Sequence, residues 1–152
     1  TRYHVPTKKQ SFNSMHSFVD PLYNDYDCKN MFSFSFVRNP YTRIISLYRF
    51  LKKYQKVPFL RFCKYLHTHR PVSITQHKYL SLDNKIPLDF VGKYENIKED
   101  FNYVCEQRYI NLGFEHKADL INYKDYYCSE SKDIIDRVFD IDFKTFNYKK
   151  EL

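Results

Sequence analysis

The sequence predicts a layered α/β domain, and three observations predict it. A strand-like run from Met31 to Val37 passes through Arg38 and a capping turn into an amphipathic helix. A second short apolar run, Asp89 to Tyr94, leads into another helix start, and two further segments carry apolar residues at helical spacing. Strands separated by helices bury their apolar faces by packing in layers around one core.

Met31 to Val37 is apolar and aromatic with serines interleaved, as suits a strand packed on at least one face. Asn39 is placed to cap the next helix, and Pro40 suits its first position because the missing proline N–H would be unpaired there anyway. Tyr41, Ile44, Ile45, Tyr48 and Leu51 then recur at helical spacing, leaving Arg43, Ser46, Arg49 and Lys52 for the other faces. Pro58 to Thr68, with Phe59, Leu60, Phe62, Cys63 and Leu66, reads as a second helix. The polar stretch from Arg70 to Pro87, punctuated by Pro71, Asp83, Asn84 and Pro87, reads as a loop with one short element. After the strand at Asp89 to Tyr94, Asn96 followed by Glu99 is a capping-box pattern. It starts a helix to about Arg108 with Ile97, Phe101, Val104 and Cys105 inward, and it makes Glu95 and Asp100 structural carboxylates. Ser131 to Asp140 forms the last helix, with Ile134, Ile135, Val138 and Phe139 on one face.

The 152 residues form one domain, 1–152, with no linker, repeat or low-complexity segment. The 14 Phe and 15 Tyr supply its core, and the tyrosines also suit a sugar-binding surface. The net charge of +7 fits an anionic nucleotide or glycan, or nucleic acid. Nucleic acid ranks second, because the cations are scattered and no helix-turn-helix, zinc-finger or RNA-binding signature is present. The densest basic run, Arg49, Lys52, Lys53 and Lys56, is explained by a solvated helix face. Cys28, Cys63, Cys105 and Cys128 lack any C-x-x-C spacing, which argues against zinc, and Cys63 and Cys105 read as reduced core thiols. These residues contain no signal peptide or membrane span.

The first strand–helix junction is the candidate site. A helix start presents unpaired N–H groups and a partial positive charge, and Arg38 beside it adds a forked donor suited to two oxygens of a phosphate. Ser46, two turns into the helix, is within reach of an anion lying along it. The competing reading pairs Arg38 with a structural carboxylate and turns Ser46 to solvent.

The stretch FVRNPYTRIISLY, Phe36 to Tyr48, resembles the 3′-phosphate-binding segment of the Golgi-type carbohydrate sulfotransferases, the family 2 group. QHKYL at Gln76 to Leu80 and DFVGKYENIKEDF at Asp89 to Phe101 are similar to two further blocks of that family, in the same order. LGFEHKADLINYKDYY, Leu112 to Tyr127, follows the outline of a fourth, with Gly113, Phe114, Glu115 and His116 in place of the usual proline, histidine, leucine and asparagine. The resemblance runs from about His16 to Tyr148. It implies a three-layer, P-loop-NTPase-like fold around a central parallel sheet, and 3′-phosphoadenosine 5′-phosphosulfate (PAPS) as sulfuryl donor, with no metal. It places Arg38 and Ser46 on the 3′-phosphate and Lys117 in a loop closing over the nucleotide. Gln76 and His77 fall near a carbohydrate acceptor, and His16 becomes the general base, with His77 the runner-up.

One part of the family pattern is missing. Its N-terminal phosphate loop, P-K-x-x-x-T-S, has only a shifted counterpart in VPTKKQS, Val5 to Ser11, and neither Gly92 nor Gly113 lies in a phosphate loop. Pro6 stands only 32 residues before Arg38, leaving little room for the usual helix and second strand. The expectation is a piece shortened at the N-terminus from a longer enzyme. The alternatives are a relative in which Lys8 or Lys9 improvises the 5′ site, and a degenerate nucleotide binder without catalysis. Animal members of the family sit in the Golgi; a microbial or viral member would work in the cytoplasm, which is the compartment expected here.

Overall fold

The computed structural model describes residues 32–54, 56–66, 74–107 and 122–152. Strand β1 (Phe34–Val37) leads into helix α1 (Pro40–Phe50), followed by α2 (Phe59–Tyr65) and the short α3 (Gln76–Leu80). Strand β2 (Phe90–Lys93) leads into α4 (Ile97–Gln107), and the chain closes with α5 (Ser129–Val138) and α6 (Asp140–Thr145). The two strands pair in parallel, from Phe34 opposite Phe90 to Val37 opposite Lys93. The domain is therefore α/β and mostly helical, and among the described residues its sheet has two strands, narrower than the central sheet expected.

The start of the sheet is locked by side chains. Asp89 Oδ2 accepts from Ser33 N at 2.7 Å and from Ser33 Oγ at 2.8 Å, which holds the Asp89 carboxyl below the usual range. Further along β2, Gly92 lies under the Phe36 ring, and a Cβ there would come within 2.6 Å of Phe36 Cε1.

The core lies among the helices. Tyr41, Ile44 and Ile45 of α1 pack with Phe59, Phe62 and Cys63 of α2 and with Ile134 and Ile135 of α5. Tyr127 joins them edge-on, its ring 5.0 Å from Phe59 and 5.4 Å from Tyr41, and its hydroxyl donates to Tyr41 O at 2.9 Å. The Tyr41 hydroxyl donates to Asp136 Oδ1, whose other oxygen accepts from Lys132 Nζ at 2.6 Å. Burial, reinforced by Asp136, pushes the Tyr41 phenol up to about 12.

Four sequence expectations are revised. The helix expected to end at Asp140 ends at Val138, and a further helix follows, because the Phe139 carbonyl accepts from both Asp142 N at 2.9 Å and Phe143 N at 3.1 Å and so starts α6. Helix α5 begins at Ser129, two residues early, because Cys128 and Ser131 form a reciprocal cap. Asn96 sits inside a 3₁₀ turn, Tyr94–Asn96, that feeds directly into α4. Arg43, assigned to an outer helix face, turns inward over the Phe139 ring at 5.6 Å and donates to Ile74 O at 2.9 Å.

Helix α6 ends in a Schellman turn. Asn147 takes a φ of 52°, and Tyr148 N donates back to Phe143 O at 2.9 Å. The turn sends Tyr148 toward the carboxyl edge of the sheet.

Gly92→Ala is expected to destabilise the domain by about 1–3 kcal/mol, because the added methyl must displace an aromatic ring; a denaturant midpoint unchanged from wild type would contradict that packing. A second expectation concerns alkaline pH. Burial raises the Cys63 thiol from 9.0 to about 12 and the Tyr41 phenol from 10.0 to about 12. Both groups hold their protons more tightly folded than unfolded, so the stability they contribute is complete below 9.0 and is lost as pH climbs toward about 12. Circular dichroism against pH is expected to show unfolding in that window, and Cys63→Ser to move it.

Candidate functional site

Open α/β sheets bind ligands outside the carboxyl ends of their strands. Here that edge carries Arg38, directly after β1, and Tyr94, directly after β2. The Arg38 guanidinium lies 4.3 Å from the Tyr94 ring centroid, and its Nε donates to Thr42 Oγ1 at 3.0 Å. Among the described residues no carboxylate pairs with it, so the structural ion pair weighed from the sequence does not form there. Thr42 and Ser46, four residues apart, share one face of α1 with Ser46 exposed, and Arg38, just before the cap, reaches Thr42 on that face.

The backbone of Arg38 is held by Gln76. Arg38 N donates to Gln76 Oε1 at 2.8 Å, and Gln76 Nε2 donates to Arg38 O at 2.8 Å. Oε1 and Nε2 of this buried amide each hold the chain leaving β1, a structural role beside the acceptor contact expected of Gln76. The first turn of α3 is itself fixed from α6: Asp142 Oδ2 accepts from Gln76 N at 2.8 Å and Oδ1 from His77 N at 2.8 Å. Thr75 completes the start of α3 by accepting from Lys78 N at 3.1 Å. Asp142 is fully buried, and that burial raises its carboxyl, opposed by the two amides and by the nearby Arg43 guanidinium. Arg43 is lowered by the same burial, with Asp142 opposing.

The helix N-terminus differs from the sequence expectation. Two of its N–H groups are engaged by the protein: Asn39 Oδ1 accepts from Tyr41 N at 2.9 Å, and Asn39 N donates to Glu95 Oε1 at 2.8 Å. Glu95 Oε2 in turn accepts from the Tyr148 hydroxyl at 2.8 Å, and burial together with Glu95 raises the Tyr148 phenol strongly. Asp100 accepts from Lys93 N at 2.5 Å, so both carboxylates read as structural are structural. The guanidinium of Arg38 is the charged donor at this junction without a carboxylate partner among the described residues. Lys93 adds a second cation at this edge, its Nζ 4.7 Å from the Tyr148 ring.

His77 is half-buried on α3, anchored through its backbone to Asp142. His16 and Lys117, with Lys8 and Lys9, lie outside the described residues. Among the described residues no cluster of His, Cys, Asp or Glu is arranged to hold a metal ion, and no helix is long and apolar enough to cross a membrane. The cysteines described are free, Cys63 and Cys105 buried and Cys128 exposed. Asp142 was missed in the sequence although a signal exists: Phe139, Asp142, Phe143 and Phe146 share one helical stripe, and a carboxylate on an apolar stripe is a polar group with a partner to hold.

Residues 2–149, nearly the whole length, match the sulfotransferase family. The chain belongs to that family. It is 28% identical over 131 residues to human carbohydrate sulfotransferase 9, covering 64% of this chain but only 29% of that protein. It is also 30% identical over 90 residues to an uncharacterized protein of Archaeoglobus fulgidus, covering 57% of this chain and 72% of that one. No solved structure matches the chain.

Within this sulfotransferase-family domain the Asn39 cap joins the strand to the helix that carries Thr42 and Ser46. Asn39→Ala is expected to cost about 1 kcal/mol of stability; urea unfolding that matches wild type would show that the cap contributes nothing.

Proposed function

We propose that this chain is the nucleotide-holding part of a PAPS-dependent sulfotransferase that acts on a hydroxyl of a carbohydrate, built on a P-loop-NTPase-like layered fold. The observation that carries the reading is Arg38. A half-buried guanidinium without a carboxylate partner among the described residues stands at the carboxyl edge of a parallel sheet, in a chain of the sulfotransferase family. Its forked donors match two oxygens of a 3′-phosphate, and an anion there would supply the counter-charge.

The residues present fit that ligand. Arg38 binds the 3′-phosphate while Thr42 and Tyr94 fix the plane of its guanidinium, and the exposed hydroxyl of Ser46 extends the same face. Lys117 is assigned to the nucleotide on the family resemblance. PAPS, when bound, supplies the sulfuryl group, which moves in line to the acceptor oxygen. His16 takes the proton of the acceptor hydroxyl, and His77 stands on the acceptor side.

Calorimetric titration with 3′-phosphoadenosine 5′-phosphate and with 5′-AMP tests this reading. Saturable binding of the bisphosphate at least about tenfold tighter than AMP is expected, a preference of the size that one charge-assisted, forked contact supplies. Arg38→Ala is expected to abolish the preference, and Arg38→Lys to keep only part of it, since a point charge lacks the fork. Equal affinities for the two nucleotides in the wild-type chain would overturn the assignment.

A further inference from the structure

We infer that Asp142 is a positioning residue for Arg38, acting through Gln76, so that the selectivity of the site for a 3′-phosphate depends on a buried carboxylate that touches no ligand. The inference rests on the nucleotide reading for its functional consequence, and on geometry alone for the linkage.

The linkage is a chain of four hydrogen bonds. The two oxygens of Asp142 take the consecutive amides of Gln76 and His77, each at 2.8 Å, which fixes both the rotation and the height of α3 against α6. The Gln76 side chain leaves from that fixed point and meets both backbone polar groups of Arg38, again at 2.8 Å each. The guanidinium direction then follows from a clamped backbone and the Thr42 contact. The buried Arg43 guanidinium is the other group here that a carboxylate serves, as a counter-charge and not through the Gln76 linkage. Phe139, Phe143 and Phe146 surround the same stripe, and an apolar residue would pack there without the desolvation cost of a buried charge. Arg43 offsets that charge from α1 while its Nη2 holds Ile74 O, just before α3 begins.

The two N–H donors demand two acceptors on one side chain. Asparagine is nearly isosteric but offers one acceptor and sets an NH₂ against the second donor. Asp142→Asn therefore disturbs the linkage while keeping the packing volume.

The test has one readout on the free protein and one on nucleotide. Hydrogen exchange at the Arg38 amide, followed by NMR, is expected to speed up about tenfold in Asp142→Asn, a change typical of losing one buried hydrogen bond. Exchange at Asn39, whose amide is held by Glu95, is expected to stay the same. Affinity for 3′-phosphoadenosine 5′-phosphate is expected to fall about tenfold while that for 5′-AMP stays put. The double variant with Arg38→Ala is expected to bind no worse than Arg38→Ala alone, as required of a residue that acts through another. Gln76→Leu, with Asp142 intact, is expected to reproduce these effects and serves if Asp142→Asn does not fold. Unchanged Arg38 exchange in the variants overturns the inference, as does equal weakening of both nucleotides, which would signal general damage. A wild-type chain without preference for the 3′-phosphate sinks the nucleotide reading, whereas Arg38 exchange judges Asp142 in either case.

Discussion

Between the last paired residue of β1 and the first residue of α1 lie only Arg38 and Asn39, and side chains from distant elements hold their backbones. Gln76 takes both polar groups of Arg38, and Glu95 takes the amide of Asn39. Unpaired backbone groups at such a junction would each cost free energy comparable to a lost hydrogen bond, so these contacts decide how the strand hands over to the helix. The rest of the described structure converges on them. Asp142 sets the position of Gln76, and Tyr148, delivered by the left-handed turn at Asn147, braces Glu95.

This arrangement sets what each part of the junction offers an anion. The proline at the first position of α1 has no N–H to satisfy, the Asn39 cap takes the Tyr41 amide, and the Glu95 carboxylate takes the Asn39 amide. An incoming anion at that end would meet the resident Glu95 carboxylate. The guanidinium of Arg38 has no such competitor among the described residues, and it is prearranged by Thr42 and Tyr94, which lowers the entropy cost of ligand capture.

Local chemistry made much of the fold legible from sequence. Pro40 after Asn39 marked the start of α1, and the spacing of Tyr41, Ile44 and Ile45 marked its buried face, because both signals act within a few residues. The same holds for Phe59, Phe62 and Cys63 on α2. Where tertiary contacts took over, the reading failed. Periodicity alone does not show that the Phe139 carbonyl serves two amides and breaks a helix, or that Arg43 turns inward to a carboxylate 99 residues later in the chain. Arg38 was legible as a candidate, but the hold of Gln76 on its backbone was not. An amide side chain carries no mark of whether it faces a substrate or a backbone.

The shortness of the junction has a consequence for how the chain tolerates changes in length. One residue inserted between Val37 and Pro40 would rotate α1 by about 100° about its axis relative to the strand, turning Tyr41, Ile44 and Ile45 away from α2 and pulling Arg38 off the Gln76 amide. The turn at Asp83 and Asn84, exposed and already in the left-handed region, has no such constraint. Insertions and deletions are therefore tolerable beyond α3 and excluded at the strand–helix joint, which acts as the fixed datum of the domain.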